Sequence, residues 1–187
     1  MRALDDFIAF VAEHVPSQPA FIVRRAVLAS AREFCKETLC WQEDVDVQFN
    51  EQNKAVINIP ELAEFHSVIE AGDMDYPIHQ NLHYTVNIIA GTLKWLDGRA
   101  PTTPVNLSIA LFPDSEADKL PEFLYKQFRD AIAAGAALRF AGRPHVDMPQ
   151  FKVYELQEAF RIGKHDARDV ALNGRRRLAA PIKHHFF

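Results

Sequence analysis

His79 and His83 are the side chains of this sequence whose spacing most resembles a site of chemistry. They stand four residues apart, with Asp75 shortly before them, and His and Asp are common zinc ligands. Two histidines four apart share a face only on a helix, however, and the residues from Pro77 into 84–89 predict a loop that passes into a strand. No HExxH glutamate accompanies them. We therefore expect no metal site and no cofactor here.

Other motifs of catalytic chemistry are missing from the sequence. It contains no G-x-S-x-G elbow, no phosphate-binding loop and no dinucleotide fingerprint. Its 7 glycines are not clustered, so little of the backbone is suited to cradling phosphates. The adjacent carboxylates of Glu43 and Asp44 lie in a strongly acidic stretch, where solvated surface charge is the commoner explanation. We expect a protein that is not an enzyme, and a metal-dependent enzyme is the weaker alternative.

Cysteine usage and the N-terminal residues bear on where the protein is used. Cys35 and Cys40 both fall within a predicted helix, where five residues turn a side chain by about 140°, so a relaxed disulfide cannot join them there. We expect two buried, reduced thiols. Met1 to Val15 lacks the basic start and apolar run of a signal peptide, and no apolar run in the sequence is long enough to span a membrane. These features predict assembly in a cytoplasm.

The segment from 174 to 187 is the most unusual part of the sequence. Gly174 is a natural helix stop, and Pro181 prevents a new helix from forming soon after it. A solvated tail is normally polar, because an exposed aromatic residue gains nothing in water. We predict an extended arm that docks on another chain, the alternative being a tip that folds back on its own domain. The predicted docking residues combine positive charge with apolar side chains: Arg175, Arg176, Arg177, Leu178, Ile182, Lys183, Phe186 and Phe187.

Charge is distributed unevenly, although the net charge is only -4. Lys54 is the sole base among the acids between Glu43 and Asp75, whereas bases dominate from Arg161 onward. This asymmetry suits a subunit whose two ends meet different surfaces. Nucleic-acid binding by the basic C-terminal segment is an alternative function, since each phosphate contact adds salt-dependent affinity. The negative net charge and the lack of interleaved aromatics weigh against it.

Hydrophobic periodicity predicts an α+β fold, specifically a helical bundle of long helices with an inserted small antiparallel β region and an extended C-terminal arm. The predicted helices are 4–15, 20–41, 120–141 and 149–173, and the β-rich insertion is 45–112. Within that insertion, alternation around 45–49 and 55–59 predicts a hairpin. The small residues at 133–137 predict close packing, within the subunit in preference to between subunits. We expect one domain over 1–173, followed by the arm over 174–187.

Four stretches, in this order, resemble the head-to-tail connector proteins of tailed bacteriophages, also called adaptor, neck or collar proteins. The stretches are Ala26–Trp41 with its Ala31-Arg32-Glu33-Phe34-Cys35 run, Leu96–Arg99, Leu120–Ala136, and the final helix with Ala167-Arg168 and Gly174-Arg175 before a basic arm that closes on an aromatic. The resemblance covers nearly the whole chain. The segment 61–81 is longer and more acidic than the family pattern, so the resemblance assigns it no role.

The resemblance implies a structural virion protein of the neck, between head and tail, that is assembled in the host cytoplasm. It implies an oligomeric ring of twelve copies that joins the portal to the neck or tail, with the C-terminal arm docking into the portal ring and a downstream neck or tail protein on the other face. It also implies that DNA passes through the channel of the ring without sequence-specific binding. The acidic surface between residues 43 and 75 would then keep packaged DNA from adhering. We expect no membrane partner.

Overall fold

The computed structural model describes residues 1–72, 78–96 and 98–173, which form an α+β fold. In chain order the elements are β1 (Arg2–Ala3), a 3-10 turn (Leu4–Phe7), α1 (Ile8–Ala12), α2 (Ala20–Thr38), β2 (Gln42–Val47), β3 (Lys54–Val56), β4 (Ala63–Ala71), β5 (Tyr84–Asn87), β6 (Thr92–Trp95), β7 (Val105–Pro113), β8 (Lys119–Leu120), α3 (Glu122–Leu138) and α4 (Gln150–Asn173). Within these ranges no helix has the length and apolar character needed to cross a bilayer.

The predicted bundle of long helices is wrong. The chain is 41% helical, and its strands form three small antiparallel sheets. Among the described residues, the sheets have the strand orders β2-β7-β4, β3-β6-β5 and β1-β8. Helix α2 packs against β7 as well as against α3 and α4. The physical reason is that β7 buries apolar side chains on both of its faces, so a helix must cover this strand. The helices therefore pack against the sheet as well as against one another, which a helical bundle would not require.

The predicted hairpin between 45–49 and 55–59 is also wrong, because its two strands belong to different sheets. Strand β2 pairs antiparallel with β7, with Val45 opposite Leu107. Strand β3 pairs antiparallel with β6, with Ala55 opposite Leu93. The turn between β2 and β3 is real, since the Asn50 side chain accepts the N–H groups of residues 52 and 54. It redirects the chain into a second sheet.

Helices α2, α3 and α4 approach one another closely through small residues. A Cβ added at Gly135 on α3 would lie 2.4 Å from Ser30 Oγ and 2.7 Å from a ring carbon of Phe160. A Cβ added at Gly163 on α4 would lie 2.2 Å from the Cβ of Ala131. The small residues predicted to pack closely are therefore buried inside the subunit. Helix α2 packs on β7 of the β2-β7-β4 sheet, and α3 and α4 pack against α2 and against each other.

Helix α2 ends at Thr38, earlier than the predicted end at 41. Leu39 is left-handed with φ 54°, and the Thr38 hydroxyl accepts the N–H of Cys40 at 3.3 Å. Cys40 therefore lies beyond the helix, and the premise that both cysteines share one helix is wrong. A hydrogen bond to the Cys40 thiol, together with burial, raises the pKa of the Cys35 thiol well above its usual value. Both cysteines are free, but only Cys35 is buried and Cys40 is partly exposed, so the prediction of two buried thiols is wrong for Cys40.

Candidate interaction surfaces

The predicted docking arm lies outside the described residues. This applies to every arm residue named above: Arg175, Arg176, Arg177, Leu178, Ile182, Lys183, Phe186 and Phe187. Helix α4 ends at Asn173, immediately before the arm begins in the sequence. The candidate surfaces are therefore found on the body of the subunit, and α4 is the element that connects that body to the arm.

His79 and His83 form a stacked pair at the base of the β5–β6 hairpin. The His79 N–H donates to His83 Nδ1 at 2.9 Å, and the two rings stack with centroids 5.9 Å apart. His83 stacks in turn on Trp95, with centroids 6.0 Å apart. Asp75 lies outside the described residues. Across 1–72, 78–96 and 98–173, no group of three His, Cys, Asp or Glu side chains could hold a metal ion. The contacts of the two histidines link the loop before β5 to β6.

The basic residues of α4 are occupied by contacts within the subunit. Lys164 Nζ lies 2.9 Å from a carboxylate oxygen of Glu37 on α2, and Arg168 Nε donates to the Glu37 carbonyl at 3.0 Å. Arg161 Nε donates to Glu158 at 2.8 Å. The helix therefore does not present its bases as a row free for phosphates, which the nucleic-acid alternative requires.

The outward face of α4 carries a second apolar stripe, which sequence analysis missed. Leu156, Phe160 and Ala167 are buried against the other helices, as is typical of an amphipathic helix. On the opposite side, Phe151 is 66% exposed and Tyr154 is 63% exposed. We define the outward face of α4 as the residues that follow one another in steps of three or four away from the core: Phe151, Tyr154, Glu158, Ile162, His165, Asp169 and Leu172.

The charges on and beside this outward face are of both signs. Lys164 and Arg168 turn toward α2, so they do not offset the carboxylates on the solvent side. Lys152 pairs with Glu155, and Arg161 pairs with Glu158, both within α4. The carboxylates on and beside the outward face are Glu155, Glu158, Asp166 and Asp169. Apolar surface surrounded by charge is typical of a protein-binding surface.

The turn of the β5–β6 hairpin presents an unusual pair of isoleucines, Ile88 and Ile89, which we call the hairpin tip. Ile89 is 100% exposed. The turn is held in place by the Asn87 side chain, which accepts the Ala90 N–H at 3.1 Å, and by the Gly91 carbonyl, which accepts the Ile57 N–H at 2.9 Å. The tip is therefore an ordered apolar projection.

The hairpin tip overhangs a groove of about 640 Å³ on the face of β4 and β7. Phe65, His66 and Phe112 line the floor of this groove. The ring of His66 meets that of Phe112 edge-on at 6.1 Å, and Lys36 Nζ lies 3.9 Å above the Phe112 ring. Burial lowers the pKa of His66, and the charge of Lys36 lowers it further. The groove thus combines apolar side chains with the charged Lys36 and Glu64, and its imidazole is held toward the neutral form.

The solvent face of the β3-β6-β5 sheet has two like charges opposite each other. Lys54 and Lys94 are a cross-strand pair, as are Val56 and Thr92. Val56 is 65% exposed. Neither lysine has an ion pair within the described ranges, and like charges placed directly opposite are destabilising. We call this surface, made of Lys54, Val56, Thr92 and Lys94, the basic sheet face. It adjoins the hairpin tip on the same hairpin.

The acidic stretch between 43 and 75 does not form one uniform surface. Glu43 and Asp46 are exposed on β2, an edge strand of its sheet, where charge discourages pairing with another chain. Glu64 is instead bound by Arg32 at 2.6 Å, and the same guanidinium donates to the Pro113 carbonyl. Asp73 and Asp75 lie outside the described residues. Only part of the predicted acidic surface is therefore available to a partner or to DNA.

Comparison with known proteins gives no assignment. No protein-family model matches the chain, and no curated protein matches it.

Proposed function

We propose that this protein is a structural virion subunit that forms a ring joining the portal of a tailed phage to its neck or tail. The observation that carries the proposal is the outward face of α4, where large apolar side chains stand in solvent on a helix that leads directly to the arm. Exposed apolar surface of this kind is costly unless a partner covers it. A subunit that must bind neighbours and a portal requires such surfaces.

The stretches that resemble the connector family support the proposal through packing. Phe34 of α2 meets Phe128 of α3 with ring centroids 5.3 Å apart, and Ser30 donates to the Ile132 carbonyl at 2.8 Å. Two of the four stretches thus contact each other in the buried helical layer. Buried residues at this contact determine how α2 and α3 pack. A residue pattern that resembles the connector family at these positions therefore favours the same packing of the two helices.

The arm supplies the proposed contact with the portal. Its arginines would accelerate encounter with an acidic partner, and its terminal phenylalanines would provide the buried anchors that slow dissociation. Twelve copies in a ring would multiply a modest contact by avidity. Exposed Glu43 and Asp46 on β2 would face DNA or a basic neighbour without sequence-specific binding. The function requires no catalytic group and no cofactor.

The test is co-sedimentation with the portal ring encoded in the same genome, using the full chain beside a chain that ends at Asn173. We expect saturable binding of the full chain that is lost on truncation, because the arm would carry the portal contact. The matched full-length variant Phe186→Ser with Phe187→Ser should also lose equilibrium binding. Replacing the three arginines 175–177 by serine should mainly slow association.

Two outcomes would overturn this proposal. Failure of both chain lengths to bind the portal would exclude the connector function. DNA affinity that falls steeply between low and moderate salt, without portal binding, would favour the nucleic-acid alternative instead. Activity that depends on a stoichiometric metal and is lost in a His79→Ala or His83→Ala variant would favour the enzyme alternative.

A further inference from the structure

The N-terminal half of α2 and the C-terminal end of α3 border a concavity of about 410 Å³, which we call the arginine concavity. Its lining includes Phe21, Arg25, Ala29, Arg139 and Arg143, and no acidic residue of the described chain lines it. We infer that the arginine concavity binds a nucleotide, with the phosphate group held by the guanidinium groups and the base stacked on Phe21. This site is separate from the arm and does not depend on the proposed ring.

The three guanidinium groups reach the concavity from two parts of the chain. Arg25 lies four residues before Ala29 on α2, so the two residues share one face of the helix. Arg139, at the end of α3, donates from Nη2 to the Ala29 carbonyl at 3.2 Å. Its guanidinium therefore lies about one helical turn along α2 from Arg25. Arg143 follows a left-handed turn at Gly142, where φ is 76°, and it lines the same concavity.

Arg25 and Arg143 have no carboxylate partner. Neither side chain forms an ion pair within residues 1–72, 78–96 and 98–173. Glu116 and Asp118 line an adjoining hollow that Arg25 also borders, yet neither of these carboxylates pairs with Arg25. Like charges placed around one concavity repel each other, and an anion bound between them removes that repulsion. The concavity therefore favours an anionic ligand.

Arg139 and Arg143 are held in place before a ligand binds. Arg139 Nη2 lies 2.6 Å from a carboxylate oxygen of Glu33, so Glu33 offsets one of the three positive charges and two remain in excess. The hydrogen bonds of Arg139 within the described residues both use Nη2, and the donors at Nε and Nη1 are left for a ligand. The Cζ atom of Arg143 lies 4.9 Å from the centre of the buried Phe140 ring. Side chains that are already positioned lose less conformational entropy on binding.

The chemistry of the lining favours phosphate among anions. A guanidinium group is planar, stays charged at every physiological pH and forms paired hydrogen bonds with phosphate oxygens. A phosphate monoester offers three strong acceptor oxygens, so one phosphate group can engage all three arginines, whereas a carboxylate has only two oxygens. Because the donors here are side chains, the site does not need the glycine-rich loop that the sequence lacks.

Phe21 provides a surface for the base of a nucleotide. Its side chain is 60% exposed, and it lines the concavity together with the three arginines. It precedes Arg25 by four residues and so shares the same face of α2. Bases stack favourably on exposed aromatic rings, and the volume of the concavity falls within the range of small-molecule sites. A nucleotide therefore satisfies both the charges and the ring, which inorganic phosphate does not.

The test is isothermal titration calorimetry of the full chain at low salt, with adenosine monophosphate and inorganic phosphate as the probes. We expect adenosine monophosphate to bind with one site per chain and more tightly than phosphate. Arg25→Gln and Arg143→Gln should each weaken its binding by about 10-fold, the value of one hydrogen bond to a charged group. Phe21→Ala should weaken the binding of adenosine monophosphate by about 5-fold or more and leave that of phosphate unchanged.

The matched control is Arg161→Gln, which removes the same charge from an exposed position on α4 and should bind both probes like the wild type. Arg25→Lys keeps the charge but loses the planar fork, so it should recover only part of the affinity lost in Arg25→Gln. Circular dichroism that matches the wild type would show that the variants are folded.

A phosphate group and a base can come from a free nucleotide or from a single strand of nucleic acid, and a short single-stranded DNA oligonucleotide distinguishes the two sources. Tighter binding of the oligonucleotide than of adenosine monophosphate, weakened in Arg25→Gln, would identify a strand as the ligand. Tighter binding of adenosine monophosphate would identify the free nucleotide.

Two results would overturn the inference. One is a wild type that does not bind adenosine monophosphate, or that binds it no better than the Arg25→Gln and Arg143→Gln variants do. The other is equal affinity for adenosine monophosphate and phosphate with no effect of Phe21→Ala. Co-sedimentation of the same variants with the portal ring gives a separate readout of the proposed function. Since the proposed portal contact lies in the arm, Arg25→Gln should bind the portal like the wild type, and either proposal can fail while the other stands.

Discussion

Replacing Gly163 by alanine tests the closest approach between α3 and α4. The added methyl group would lie 2.2 Å from the Cβ of Ala131, well inside ordinary van der Waals contact, so the two helices would have to move apart. Overpacking of this kind costs about 1–3 kcal/mol. Alanine in a helix is favoured over glycine by about 1 kcal/mol. We take the upper part of the overpacking range because the contact is so short, and we expect a net loss of about 1–2 kcal/mol in the free energy of unfolding.

The assay is thermal and urea unfolding monitored by circular dichroism. A loss of 1–2 kcal/mol corresponds to a fall in Tm of about 2–8 °C for a chain of this size. The variant Ala131→Gly removes the methyl group that the new alanine would meet, so the double variant should recover most of the stability lost by Gly163→Ala. The coupling between the two substitutions should therefore be of stabilising sign and about 1 kcal/mol or more.

The sign of the change in Tm on Gly163→Ala shows whether α4 packs against Ala131. If α4 did not pack against Ala131, Gly163→Ala would raise Tm, because only the helix preference would change. A rise in Tm, or strict additivity of the two substitutions, would therefore refute the packing described here. No other feature of α4 predicts that two substitutions, each unfavourable alone, compensate each other.

Two further predictions concern buried groups. Ser30→Ala removes the hydrogen bond to the Ile132 carbonyl and should lower the free energy of unfolding, measured by urea unfolding, by about 1 kcal/mol. The control is Ser115→Ala, which changes an exposed serine and should leave the free energy of unfolding unchanged. Equal losses for the two variants would contradict the stabilising role of the Ser30 hydrogen bond. The lowered pKa of His66, caused by burial and then by Lys36, means that the unfolded chain binds the proton more readily. Stability should thus be full above about pH 6.5 and decrease as the pH falls below it, through the lowered pKa of the folded state. His66→Gln should make the decrease of the unfolding free energy with falling pH shallower, as measured by urea unfolding at several pH values. The control is His165→Gln, which changes an exposed histidine. An unchanged pH dependence in the His66→Gln variant would count against the role of His66.

Local elements could be predicted from the sequence, because their signals are local. The apolar residues of α4 repeat at helical spacing, so a helix was expected over 149–173 and is observed over Gln150–Asn173. A helix was likewise expected over 120–141 and is observed over Glu122–Leu138. Such patterns depend only on which side chains share a face. They contain no information about what will cover that face.

The partners of the strands could not be predicted in the same way. Val45 lies opposite Leu107, more than sixty positions along the chain, and several strands offered comparable apolar rows. The Asn50 turn satisfies the local rules for a hairpin, yet the chain leaves it for another sheet. The end of α2 was missed for a related reason. Leu39 adopts a left-handed conformation that usually marks glycine or asparagine, so its sequence carried no stop signal.

The outward face of α4 was overlooked although its signal was present. Val170 follows the buried Ala167 by three residues, as a member of the buried stripe would, yet it is 54% exposed. A second stripe at spacing three and four, with aromatics at Phe151 and Tyr154, cannot be buried by the same neighbours as the first. The second stripe therefore leaves apolar surface on α4 that the residues 1–72, 78–96 and 98–173 do not cover. The residue spacing alone reveals the two stripes, and the structure shows which of them is buried against the other helices.

The position of α4 directly before the proposed docking arm has a consequence for assembly. A neighbouring copy held on the outward face of α4 would fix the direction of a rigid rod about 36 Å long, at 1.5 Å per residue over its 24 residues. The arm begins where that rod ends. Ring formation would therefore place twelve arm origins at fixed positions on a circle before any arm meets the portal, and this reduces the entropy lost when the arms dock together. A subunit unable to form the ring should consequently bind the portal more weakly than its intact arm alone would suggest.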